Sequence, residues 1–166
     1  QPLFNAVLQD DAVPSPLLLR LVTDPLQRPP WEIFVNQRGE RFGNELDKPA
    51  WRLPDQPGQV GYIVIDQALA RQFSAWPHFV STAPGIAYAY IPDYRQNRPD
   101  VYAEAPTLPE LARQLGMDAT VLASSVATAP VRPLGAGPYV ALGPVRSVFV
   151  HSEGGLMVDH QHRVLD

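Results

Sequence analysis

Cysteine is absent from the 166 residues, which excludes a disulfide framework and any thiolate metal site. Long apolar runs are missing as well. Stretches such as 16–19 and 60–65 fall far short of the roughly 20 residues that a membrane helix requires. No basic stretch followed by an apolar one opens the chain, so no secretory leader is read there and a cytoplasmic location is expected. Positive charge is not in excess: 13 basic against 17 acidic side chains leave a net charge of −4, which argues against nucleic acid as a partner. The common chemical signatures are missing too, with no G-x-G-x-x-G, P-loop, H-E-x-x-H or G-x-S-x-G.

What is present is the composition of a folded core. Apolar residues make up 45% of the chain and charged ones 18%, a balance that separates it from disordered sequences. Proline is in surplus: 19 residues are more than twice the usual share of about 5%. Five of them fall between residues 14 and 30, and they interrupt any regular element there. Residues 17–22 within that stretch fit either a short helix or a strand.

Beyond residue 30 the periodicities become clearer. Residues 31–36 alternate as a strand, 37–40 form a turn that uses Gly39, and 41–45 are expected to return as the second strand of a hairpin. Residues 47–59 carry Pro49, Pro54, Pro57 and Gly58 and read as a loop. Residues 60–65 are apolar on both faces, as in a buried strand, and Asp66 then caps a short helix with Leu69, Ala70 and Phe73 on one face. Strands are expected at 87–91 and 101–103. Thr107 and Glu110 make a capping box for a helix ending at Gly116, and Asp118 caps a second helix over 119–127 that buries Leu122 and Val126. Further strands are read at 139–142, 145–151 and 156–159, with Gly135 and Gly137 as a strand entry and a turn at 160–162. Interspersed strands and helices without a βαβ rhythm indicate an α+β fold, with a mixed, mostly antiparallel sheet and a few short helices. A proline-rich start and an end partway into a strand give the reading of a piece of a longer chain.

Among candidate chemical groups, His151 ends an apolar strand just before Ser152-Glu153-Gly154-Gly155, where backbone can approach a ligand closely. Arg41 and Glu45 sit four residues apart, spaced for an ion pair or a relay. Asp159, His160 and His162 could join His151 in a metal site, or Asp159–His162 could be a solvated turn.

Three stretches carry a family resemblance. Val35-Asn36-Gln37-Arg38-Gly39-Glu40-Arg41-Phe42-Gly43-Asn44-Glu45 resembles the VN..G.RF.NE hairpin of FAD-dependent fumarate reductases, a family that includes succinate dehydrogenase flavoproteins and 3-ketosteroid dehydrogenases. Residues 105–122 resemble that family's helix pair. Residues 137–165, with H-S-E-G-G-L-M-V-D and R-V-L, resemble its closing run. The resemblance implies the substrate-capping domain of a bacterial FAD-dependent oxidoreductase. It divides the chain into a connecting segment (1–30), a capping domain (31–150) and strands (151–166) leading back to an FAD-binding domain of the same polypeptide.

By the same resemblance, His151 binds a substrate carboxylate, Gly154 and Gly155 run close to the flavin ring, and Glu45 lies on a proton-delivery path. The family's T-R-D stretch after NE is replaced here by Leu46-Asp47-Lys48-Pro49. The segment to which the resemblance assigns the acid arginine is shortened, leaving Arg132 as the nearest substitute and Arg146 and Arg52 as others. A small acid or ketone is then the substrate class. The isolated piece is expected to lack redox activity and to self-associate through apolar surface around 154–158 and 164–165. The rival reading is a flavin-free ligand-binding or interaction module that reuses the same fold.

Overall fold

A computed structural model of the chain describes residues 3–8, 17–19, 33–45, 49–83, 86–129, 133–151, 157 and 159–164. Its spine is a strand of 13 residues, Tyr139–His151. In chain order the strands are β1 (Leu3–Leu8), β2 (Leu17–Leu19), β3 (Ile33–Asn36), β4 (Gly61–Ile65), β5 (Ser81–Ala83), β6 (Ile86–Ala89), β7 (Tyr102–Ala105) and β8, the spine itself. Four helices join them: α1 (Gln67–Gln72), α2 (Ile91–Asn97), α3 (Leu108–Leu115) and α4 (Ala119–Ala127). The strands form one sheet in the order β3-β4-β8-β1-β2-β5-β6, with β7 also paired to β8. Every pairing among the described residues is antiparallel, so the expected α+β, largely antiparallel architecture is what the chain adopts.

The two halves of β8 have different neighbours. Residues 139–142 lie between β4 and β7, whereas Val145–His151 pairs with β1. Gly143 and Pro144 stand at the join, and the Gly143 N–H reaches the Val101 carbonyl at 3.0 Å. A Cβ on Gly143 would stand 2.6 Å from the Tyr62 ring, so only glycine fits there.

Side-chain alternation along β3, β4 and β8 builds a core on each face of the sheet. Phe34, Ile63, Ile65 and Leu142 face Leu53, Leu69, Phe73, Ile91 and Tyr94 on one side. Ile33, Val35, Val64 and Ala141 face Leu111, Ala112, Leu122 and Val126 of α3 and α4 on the other. This is why 60–65 carries no polar face. The helix boundaries follow their caps. The Asp66 carboxylate accepts the Leu69 N–H at 2.9 Å, Asp118 accepts those of Thr120 and Val121, and Thr107 that of Glu110. Gly116 ends α3 at φ 68°.

Several expectations need correction. Residues 41–45 do not return as a strand. Val35 and Arg41 make one isolated bridge on the edge of β3 away from β4, and the Arg41 N–H goes to the Ser125 hydroxyl of α4 at 3.0 Å instead of extending a ladder. The stretch expected as a loop holds 3-10 turns at Pro49–Asp55 and Pro57–Gln59, which bury Leu53. The strand expected over 87–91 ends at Ala89, and Ile91 instead opens α2, where the Asp93 carboxylate accepts the Tyr90 N–H at 2.8 Å. The first thirty residues contribute β1 and β2. The two strands expected at 139–142 and 145–151 are one. Of the strand expected at 156–159, Met157 and Asp159 carry no strand pairing, and 156 and 158 lie outside the described residues.

Candidate functional site

The turn after β3 is organised by one buried side chain. Asn36 is 3% exposed, and its Oδ1 accepts the N–H groups of Arg38 and Glu40 at 2.9 and 3.1 Å. Its Nδ2 donates to the Glu40 carboxylate at 2.9 Å and to Gln56 at 3.3 Å. An asparagine at a strand end is well suited to this, because its amide mimics the backbone groups a turn leaves unpaired. Gly39 completes the turn at φ 82° and lies directly on α4: a Cβ there would stand 3.3 Å from the Leu122 Cβ and N.

The turn delivers Arg41 to Glu45. The guanidinium donates through Nε to one carboxylate oxygen at 2.7 Å and through a terminal nitrogen to the other at 2.5 Å, a bidentate pair. The Glu45 side chain is 3% exposed and that of Arg41 19%, so the pair is anchored inside and opens outward through the arginine. The hydrogen bond to Glu45 raises the Arg41 pKa above its already high ordinary value, which keeps the guanidinium charged. Outside the arginine lies an open groove of about 390 Å³ between this turn and α4, lined by Glu40, Arg41, Thr120, Ser124 and Thr128 among others.

Ser125 is the residue that reading the sequence missed. It is buried on the apolar face of α4, and its Oγ donates to the Gly39 carbonyl at 2.8 Å while accepting the Arg41 N–H at 3.0 Å. A hydroxyl three positions after Leu122, on a face that should be wholly apolar, was the available signal.

A second knot lies where α1 begins. Asp66 is fully buried, and beyond capping α1 its other oxygen accepts the Gly135 N–H at 2.7 Å. A Cβ on Gly137 would stand 2.2 Å from the Pro106 carbonyl. This glycine pair thus enters β8 rather than a helix, and one of its N–H groups is already spent. Gly135 and Gly137 therefore do not form a phosphate-binding turn at a helix start.

The remaining candidates fall as follows. His151 is the last residue of β8, with its backbone opposite Leu3. Asn36, Gly61 and Val145 share one rung of the sheet. His151 is six residues past that rung, about 20 Å along the strand, so the register does not bring it to the Asn36 turn. Arg146 sits in β8 opposite Val7, and Arg52 is exposed in the first 3-10 turn. Arg132, Gly154 and Gly155 lie outside the described residues.

At 159–163 the Asp159 carboxylate is occupied by its own turn. It accepts the Gln161 and Arg163 N–H groups at 2.8 and 3.0 Å and pairs with the Arg163 guanidinium at 2.7 Å. The Arg163 backbone N–H foremost holds its pKa below the usual carboxylate value. No three His, Asp or Glu side chains converge on a metal position among the described residues, and no described helix is long and apolar enough to cross a membrane.

No protein-family model matches the sequence, and no curated protein does. Solved structures do. A flavocytochrome c3 fumarate reductase in its open conformation superposes with a TM-score of 0.63 at 21% identity, over 99% of this chain and 29% of its own. The 3-ketosteroid delta1-dehydrogenase of Sterolibacterium denitrificans, in complex with 1,4-androstadiene-3,17-dione, gives 0.63 at 21% identity, over 99% and 35%. The 3-ketosteroid-delta4-(5alpha)-dehydrogenase of Rhodococcus jostii RHA1, in complex with 4-androstene-3,17-dione, gives 0.53 at 19%, over 98% and 32%. The chain spans about a third of the length of these structures. Nearly the whole of it thus has the fold of one part of a fumarate reductase and of two 3-ketosteroid dehydrogenases, the likeness that the three sequence stretches had indicated.

Proposed function

We propose that the chain is the substrate-capping part of an FAD-dependent oxidoreductase that acts on a carbon–carbon bond of a small acid or ketone. The observation that supports this reading is the likeness of fold over nearly the whole chain to both a fumarate reductase and ketosteroid dehydrogenases. FAD, held by another domain of the same polypeptide, supplies hydride exchange at its N5 position. This chain's own contribution is to bind and orient the substrate, exclude water and hold a proton. His151 takes the substrate's carboxylate or carbonyl end. Glu45, clamped by Arg41, belongs to the path along which the proton travels, and Arg132 is its donor to substrate. Gly154 and Gly155 form the edge that meets the flavin. Closing the cap over the substrate dries the site and strengthens each of these contacts. The division at residues 30 and 150, the cytoplasmic location and the inactivity of the piece alone are parts of the same proposal.

The test is an absorption spectrum of the natural polypeptide that contains this segment. A flavin band near ~450 nm that bleaches on reduction and returns on adding an unsaturated acid or ketone is the expected result. A colourless, well-folded protein overturns the reading in favour of a flavin-free binding module.

The 166-residue chain alone is expected to self-associate. Met157 and Val164 are 68% and 57% exposed, in the region proposed to meet the flavin domain. Light scattering should give a mass that rises with concentration, and a monomer throughout would refute it.

A further inference from the structure

We infer that Ser125 is a positioning residue for Glu45, an assignment that rests on the proposed role of Glu45 in proton delivery. The segment carrying Arg41 and Glu45 has little ladder to hold it, since an isolated bridge to Val35 is its one strand pairing among the described residues, and Phe42 within it packs edge-on against Phe34. The outer side of Arg41 faces the open groove, so packing does not fix it there either. What fixes the Arg41 backbone against α4 is the Ser125 hydroxyl. It has one proton to give and lone pairs to accept. It gives the proton to the Gly39 carbonyl on one limb of the turn and accepts the Arg41 N–H on the other.

These contacts pin the Arg41 backbone to α4, and from that point the guanidinium reaches Glu45 with both nitrogens in register. A bidentate fork tolerates little displacement at its root, because both hydrogen bonds must align together. Ser125 thereby sets where the Glu45 carboxylate rests without touching it. Threonine offers the same hydroxyl at this position, and alanine removes it.

Nuclear magnetic resonance of the 166-residue chain tests this directly. In the wild type, the Arg41 backbone amide should be protected from hydrogen exchange, and its Nε–H should give a distinct hydrogen-bonded signal. Ser125→Ala should remove the Nε–H signal from that position while the rest of the spectrum stays dispersed, and Ser125→Thr should keep it. An Arg41 amide that exchanges like an open loop in the wild type overturns the inference without any variant, which covers the case of Ser125→Ala failing to fold. An Nε–H signal unmoved by Ser125→Ala overturns it as well.

In the flavin-bearing polypeptide, Ser125→Ala should lower kcat about tenfold at unchanged KM, with Ser125→Thr restoring it. Glu45→Gln is the control that separates two failures. If it leaves kcat unchanged, the role of Glu45 fails, and the resonance data alone decide whether Ser125 positions the pair. If it lowers kcat while Ser125→Ala does not, the inference about Ser125 fails.

Discussion

Arg41→Ala is expected to destabilise the chain by about 3–5 kcal/mol, the range for stranding one partner of a buried ion pair. Arg41 is the partner that the described residues give Glu45, whose side chain is 3% exposed. Without it the carboxylate loses both of the hydrogen bonds that the described residues give it. Glu45→Ala should cost less, because the Arg41 side chain is 19% exposed and can turn into the groove. The double substitution should be milder than Arg41→Ala alone, since it strands no charge. Denaturant unfolding of the four proteins measures all three differences. Equal losses for the two single substitutions, or an Arg41→Ala loss within about 0.5 kcal/mol of zero, would mean that the pair is a surface ornament.

His151→Ala carries the largest expected effect on activity. In the flavin-bearing polypeptide, kcat/KM should fall about 100-fold, in line with losing a charge-assisted hydrogen bond of some 1.5–3 kcal/mol. Most of the loss should appear in KM, because a group that grips the unreacting end of a substrate binds ground and transition states alike. The flavin absorbance should not change, since the residue is assigned to substrate rather than cofactor. Steady-state kinetics beside a visible spectrum decide it, and unchanged kcat and KM would remove His151 from the site.

The elements that the sequence made legible are those whose signals are local. Thr107 with Glu110, Asp118 and Asp66 announce helix starts through side chains that bond within three residues, and each caps where expected. The apolar run at 60–65 announces a strand buried on both faces, and β4 is one. What could not be read depends on partners far along the chain. Residues 41–45 fit a returning strand by alternation, yet the Arg41 N–H is taken by a side chain of α4, and local pattern cannot report that competition. The 3-10 turns of 49–59 hide behind their prolines, which look the same in a loop. Helix α2 left a faint mark, Pro92-Asp93 after Tyr90, where the acid reaches back to cap the first turn.

For the site, the Arg41–Glu45 pair was visible as a spacing. The Ser125 hydroxyl bonds to residues 84 and 86 positions away, and no window along the sequence contains both ends.

The central pairing of β4 with β8 has a consequence for how the chain is made. Ile63 faces Leu142, about eighty residues later in the sequence. Contacts of that span place the protein among slow folders, on the scale of milliseconds to seconds. During synthesis β3 and β4 can pair as soon as both have emerged, but the other edge of β4 has no neighbour until residues 140–145 leave the ribosome. At about 5–20 residues per second that wait lasts several seconds. Throughout it, Tyr62-Ile63-Val64-Ile65 offers an open, uncharged, β-branched edge of the kind that recruits other chains. A strand that ends buried between two neighbours is therefore one that calls for a chaperone while the molecule is being built.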